Sequence, residues 1–336
     1  MANYDLFNGD ADGICSLIQL RLAEPKESTL ITGIKRHIRL MDRLIAEATL
    51  QPGDQITVLD VSMTKNLDAL NQALAAGAEV FYADHHQTGD VPEHPLLHAH
   101  LHMAANTCTG LIVDQYLQGQ YREWAIVAAY GDNMLTVADS YIKRHGMNAT
   151  QRQQLHDLGI ALNYNGYGES LDDLFYTPEY LYKEAVQYPS PFDFISDKPE
   201  IFNTLSEGYQ ADLHKGLAIA PMKQNSHLTM IALPDEPWAR RISGVLGNEL
   251  ANRNPHLGHI ILTENQASGA ESLTYQVSLR SPKARMQGAD EIAVKFAGGG
   301  RRAAAGIGGL MSAQLSQLWD VAAEAWKEPL ARVMHR

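Results

Sequence analysis

Three features of this 336-residue chain predict an α/β protein. Short β-rich runs alternate with amphipathic segments over roughly the first 90 residues. The stretch 106–215 reads as mostly helical, and strand patterns return beyond about residue 225. Strand–helix alternation of the first kind predicts a parallel, doubly wound sheet covered on both faces. The expected organisation is therefore a catalytic-type α/β domain with a helical part over 1–190, a linker over 191–225, and a smaller α/β domain over 226–336.

The elements follow in order. Tyr4–Phe7 reads as a strand. Ile14, Leu17, Ile18 and Leu22 recur at helical spacing over 14–23. Thr29–Gly33 and Gln55–Asp60 (QITVLD) read as strands, 66–76 as a helix, and Val80–Ala83 as a strand that runs into Asp84. Ala125–Tyr130 is apolar and stops at Gly131-Asp132-Asn133. Tyr188-Pro189-Ser190-Pro191 breaks helices and marks a candidate boundary. Further on, 227–233, 259–263 and 273–279 read as strands, the last two joined by a Gly- and Ser-containing turn. A helix over 289–296, a Gly-rich loop and a C-terminal helix over 313–333 complete the pattern. No internal repeat or low-complexity segment is visible.

Composition narrows the class. Hydrophobic residues make up 45% of the chain, enough for well-formed cores. No apolar run approaches the roughly 18 residues that span a bilayer, and the start, Met1-Ala2-Asn3-Tyr4-Asp5, lacks signal-peptide character. Two cysteines, Cys15 and Cys108, suit a reducing compartment. A cytoplasmic protein without a membrane partner is expected. The formal net charge of -12 disfavours long duplex nucleic acid and favours a small phosphorylated substrate.

Chemistry-bearing residues cluster where strands end. Asn8-Gly9-Asp10-Ala11-Asp12-Gly13 follows the first strand, and on an extended run Asp10 and Asp12 project the same way. Asp60 closes the apolar run 56–59. Asp84-His85-His86 closes the next strand, and Asp132 follows a buried-looking helix. Each has an ordinary alternative as a solvated turn, a cap or a surface pair. In parallel α/β sheets, however, ligands bind beyond the carboxyl ends of the strands. Mixed oxygen and imidazole donors suit manganese better than calcium, and the lack of thiolates argues against structural zinc.

The ordered set N-G-D-A-D-G (8–13), V-L-D (58–60), D-H-H (84–86) and G-D-N (131–133) resembles the four motifs of the DHH phosphoesterases. The resemblance implies two manganese ions, with Mg2+ or Co2+ as substitutes. By motif match Asn8 and Asp10 lie on the first ion, Asp12 on the other, Asp60 bridges, and His85 and Asp132 complete the second position. Asp84 stands at or beside the metal, and His86 faces the scissile phosphate. Family members often carry His or Asp early in the first motif, where Leu6 and Asn8 stand here; Asn8 offers a neutral amide oxygen. Two divalent ions about 3.5–4 Å apart can clamp the attacking and leaving oxygens of a phosphoryl centre and acidify a water between them.

Gly298-Gly299-Gly300-Arg301-Arg302-Ala303-Ala304-Ala305-Gly306 is the second strong signal. Glycines let backbone N–H groups approach an anion, and arginines pair with phosphate oxygens bidentately. The alternative is a plain connector. The segment resembles the G-G-G-H-x-x-A-A-G signature of the C-terminal DHH-associated domain, with Arg301 in place of His. Val277–Ser281 resembles the preceding strand, which implies substrate contacts for Arg280 and Ser281. Ser243, Gly244 and Asn248 match that domain's first helix. Tyr164 and Tyr167, among glycines and asparagines, could stack bases or pack on the surface.

The resemblance implies a phosphodiester hydrolase or exoribonuclease that cuts short linear oligonucleotides or dinucleotides, such as pGpG, to mononucleotides. A second domain gripping the far end would measure length. Alternatives are cyclic dinucleotides or a nucleoside bisphosphate as substrate, or a non-catalytic nucleotide-binding regulator. Nothing in the sequence fixes the oligomeric state, which leaves room for a homodimer.

Overall fold

The computed structural model describes residues 1–265 and 273–327. Contacts divide the chain into two compact units, Met1–Tyr209 and Gln210–Arg336.

The first unit begins β1 (Asn3–Phe7), α1 (Ala11–Ala23), β2 (Thr29–Ile31), α2 (Leu40–Glu47), β3 (Gln55–Leu59), α3 (Met63–Ala75), β4 (Glu79–Asp84) and β5 (Leu97–Leu101). The strands form one parallel sheet of order β2-β1-β3-β4-β5. Alternate residues face opposite ways, as the pleat requires. Leu6, Val58 and Tyr82 pack with Leu40, Met41 and Leu70 from α2 and α3. Phe7, Leu59 and Ala83 join the core of α1 and the helices that follow. Both faces are buried, which explains why these strands read as continuous apolar runs. The strand order reverses between β1 and β3, the crevice where doubly wound sheets place ligands.

The helical part comprises α4 (Thr109–Tyr116), α5 (Arg122–Gly131), α6 (Leu135–Arg144), α7 (Ala149–Asn165), α8 (Pro178–Ala185), α9 (Pro191–Asp197) and α10 (Pro199–Ala218). Small residues set its close packing: a Cβ at Gly131 would fall 2.3 Å from that of Ala11, and one at Gly159 would fall 2.5 Å from the Val127 carbonyl oxygen. Segment 191–225, expected as a linker, carries α9 and α10, and the division between units falls inside α10. Ser190 caps α9 and Pro191 opens it, so the Pro-containing break starts a helix rather than separating domains.

The second unit adds β6 (Lys223–Gln224), β7 (Leu228–Leu233), α11 (Pro237–Arg253), β8 (Gly258–Asn265), β9 (Thr274–Arg280), α12 (Ala289–Val294), β10 (Gly299–Arg301), β11 (Ala304–Met311) and α13 (Leu315–Trp326). Its mixed sheet has the order β10-β11-β9-β8-β7-β6, with only β7 and β8 parallel among the described strands. Leu262, Val277, Leu279 and Ile307 pack with Ile292, Leu318, Trp319 and Trp326. The turn expected between β8 and β9, and the end of the last helix, lie outside the described residues.

Three local expectations are corrected. Asp10 and Asp12 do not share an extended run: Asp10 is the N-cap of α1, and Asp12 lies in its first turn. A carboxylate that accepts two helix N–H groups favours the turn over extension. The Gly-rich segment is not an open loop; Gly299, Gly300 and Arg301 pair antiparallel with Gly306, Ala305 and Ala304. Gly300 takes φ 152°, where a Cβ would sit 2.5 Å from Ala305 Cα. Tyr164 is buried against Tyr209 and Phe175 and has no face to offer a base.

Candidate metal centre

The carboxyl ends of β1, β3 and β4 bring the sequence-predicted residues together. Asp10 Oδ1 accepts the N–H groups of Asp12 and Gly13, both at 3.1 Å. Asp12 turns its carboxylate to the start of α4, where Thr109 N and Gly110 N donate at 2.8 and 2.7 Å. The positive end of that helix stabilises the anion. Asp60 follows β3 with φ 59°, an uncommon conformation for a non-glycine residue, and its Oδ1 accepts from Thr109 Oγ1 at 3.1 Å. Strain of this kind persists where the surroundings fix it, and it clusters at functional sites.

His85 is the hub. Its Nε2 lies 3.5 Å from Asp60 Oδ1, 3.7 Å from Asp12 Oδ2 and 3.8 Å from Asp132 Oδ2. Asp132 comes from the C-cap of α5. Asp84 Oδ1 binds His86 Nδ1 at 2.7 Å, while its other oxygen is buried without a hydrogen-bond partner. That contact occupies Nδ1 and orients the His86 ring. The Asp84 hydrogen bond, opposed by partial burial, raises His86 above the usual histidine range.

The donor set fits a divalent cation. Donor atoms of Asp12, His85 and Asp132 lie within 4.8 Å of one another, as do those of Asp60, His85 and His86. Five aspartates converge here with few balancing charges. Burial, then Asp12, Asp10, Asp84 and Asp132, push the Asp60 carboxyl well above the carboxylate range. Burial and Asp12 push Asp132 up to about 6. Carboxylates that repel one another in a buried site call for a cation among them.

Two residues of the site went unrecognised in the sequence. Lys35 lies just past the end of β2 and places Nζ 2.6 Å from Asp10 Oδ2. Thr109 opens α4 and reaches both Asp12 and Asp60. The rule of strand carboxyl ends could have found Lys35; no sequence signal marks Thr109.

The predicted substrate residues of the second unit sit around β9 and β10. Arg280 is not an open guanidinium: it donates to Asn248 Oδ1 at 2.7 Å, Ser278 Oγ at 2.9 Å and the Gly244 carbonyl at 3.0 Å, tying β9 to α11. Ser281 is buried, and its N–H donates to the Ala303 carbonyl. Arg301 and Arg302 are exposed, without an ion pair among the described residues. Gly299 and Gly300 are exposed and Gly298 is half-buried, all at the sheet's edge.

No family model and no curated protein matches the chain. Solved structures do. An exonuclease RecJ bound to manganese superposes with TM-score 0.61 at 15% identity, over 98% of this chain and 91% of that one. The pGpG-specific phosphodiesterase PggH from Vibrio cholerae gives TM-score 0.57 at 13% identity, over 97% and 99%. RecJ of Thermus thermophilus in complex with Mn2+ gives 0.56 at 16%, over 98% and 52%. The chain has the RecJ-like fold of the DHH phosphoesterases, the family its four motifs resemble. Among the described residues no helix is long and apolar enough to cross a membrane.

Proposed function

We propose that the protein is a metal-dependent phosphodiesterase that hydrolyses short linear oligonucleotides or dinucleotides, such as pGpG, to mononucleotides. The observation that carries this reading is the convergence of Asp12, Asp60, His85 and Asp132 at the switch point of the parallel sheet, with His86 beside them. Asp12, Asp60, His85 and Asp132 would hold divalent metal, with manganese the first choice from the donor chemistry and from the ions in the two RecJ structures. Such metal supplies the charge that acidifies water and neutralises phosphoryl oxygens.

The chain's own groups do the rest. Asp84 holds His86 Nδ1, so that Nε2 donates to a phosphoryl oxygen as negative charge develops. Thr109 Oγ1 and the α4 amides fix Asp60 and Asp12 in place. Arg301 and Arg302, exposed on the hairpin of the second unit, grip the non-reacting part of the substrate. Arg280 acts as a brace between β9 and α11 that keeps that surface in shape.

A pGpG-specific enzyme among the structures of like fold makes pGpG the first linear substrate to try. A turnover screen with manganese tests this, over linear oligomers of two to seven nucleotides, cyclic dinucleotides and a nucleoside bisphosphate. Preferential cleavage of the shortest linear substrates is expected. Opening of a cyclic dinucleotide at a higher rate would move the assignment to that class. Tight nucleotide binding with no hydrolysis of anything would make the protein a regulator.

A further inference from the structure

The motif carboxylates of the centre are not alike. Asp10 and Asp12 both accept helix N–H groups, but only Asp10 also carries a cation partner: its Oδ1 caps α1, and its Oδ2 meets the Lys35 ammonium at 2.6 Å. Lys35, with its side chain 31% exposed, has several further partners. Its Nζ donates to Asn163 Oδ1 at 2.8 Å and lies 5.7 Å from the centre of the Tyr167 ring. Its backbone N–H donates to the Gly166 carbonyl at 2.8 Å, and its carbonyl accepts from Asn8 Nδ2 at 3.2 Å. Asn8 Nδ2–H positions Lys35 through that carbonyl, while its neutral Oδ1 is buried without a hydrogen-bond partner. Asp10 belongs to neither of the two donor groups that come together around His85.

We propose that Lys35 stands in for one divalent cation, so that this centre holds a single metal ion among Asp12, Asp60, His85 and Asp132 beside a fixed ammonium on Asp10. This rests on the metal-dependent reading above and refines it. Two features act together. Asn8 offers a neutral amide rather than an anionic ligand, and Lys35 already brings a positive charge to Asp10. A dication entering between Asn8 and Asp10 would have to break the Lys35–Asp10 pair and then sit beside the displaced ammonium. Like charges at such range in a buried site repel strongly. The segment that carries Lys35 is also pinned through its main chain by Gly166 and Asn8.

The test counts metal rather than turnover. Chelator-stripped full-length protein is titrated with MnCl2, desalted and analysed for manganese per chain, and the electron paramagnetic resonance spectrum is recorded. Wild type should retain one ion with an uncoupled spectrum. Asn8→Asp combined with Lys35→Met should retain two, with the splitting of a spin-coupled pair. Two ions in wild type would overturn the inference, and so would a folded double variant that still holds one. If circular dichroism shows the double variant unfolded, Lys35→Met alone takes its place; it should add a weaker second ion, and failure to add one counts against Lys35 as the occupant. A wild-type chain that retains no manganese would instead sink the metal-centre reading itself, a different and recognisable failure.

Discussion

His86 and His85 are sequence neighbours with different surroundings. His85 Nε2 looks inward at three carboxylates, whereas His86 is 46% exposed at its side chain and anchored only through Nδ1. His86→Ala should therefore lower turnover by about 10²–10³, the usual worth of one donor to a developing oxyanion. Manganese content measured by elemental analysis should stay near that of wild type. A collapse of metal content in this variant would make His86 a ligand and undo the division between the two histidines. The sequence showed the members of this site well, because D-H-H, V-L-D and G-D-N each close an apolar run. It did not show their roles as fully. Nothing in N-G-D-A-D-G distinguishes a helix cap from a strand end, and Lys35 lies 25 residues beyond Asp10 on another connection.

Elements are held in register by pairs that no local pattern announces. Arg21 of α1 forms a buried bidentate pair with Asp5 of β1 and donates to Thr57 of β3 at 2.8 Å. Ser28 also donates to Asp5, at 2.6 Å. Asp5→Ala leaves a buried guanidinium without its partner, a loss of about 3–5 kcal/mol. Urea denaturation followed by circular dichroism should show it, and a loss below about 1 kcal/mol would mean that solvent replaces the carboxylate. In the second unit, His259 of β8 is buried with Nδ1 unpartnered, and burial lowers it to about 4. The unfolded chain takes up this proton near pH 6.5 and the folded one does not. Stability of that unit should thus fall as pH drops from about 6.5 toward 4, by about 1.4 kcal/mol for each pH unit. His259→Asn should flatten the slope; an unchanged slope would locate the proton elsewhere. Strand and helix types were legible from periodicity, and β1, β3, β4, β7 and β9 fall where their apolar runs stand. The edge strand β5 (Leu-His-Ala-His-Leu) has no clean alternation, with His98 and Ala99 exposed and His100 half-buried against Phe81 and Tyr116, and gave too short a signal. The Gly-rich segment read as a loop because glycine hides strand character, and its pairing with Gly306 and Ala305 depends on a partner strand.

For the whole molecule, the proposed function assigns its chemistry to residues of Met1–Tyr209 and makes Arg301 of Gln210–Arg336 a proposed substrate contact. Arg301→Ala should raise KM for a dinucleotide while leaving a small chromogenic phosphodiester nearly unaffected, since that diester offers nothing to grip. Lys at 301 should rescue only in part, because an ammonium lacks the bidentate fork. Equal loss on both substrates would place Arg301 in the reaction centre. The most direct test of a metal-dependent phosphodiesterase is hydrolysis of pGpG by chelator-stripped protein, with and without added MnCl2, for wild type and Asp12→Asn, whose carboxylate sits between the α4 amides and His85. The account predicts two GMP per pGpG only when manganese is present, and almost none from Asp12→Asn. Hydrolysis that persists in the stripped protein, or in Asp12→Asn at the wild-type rate, would contradict it.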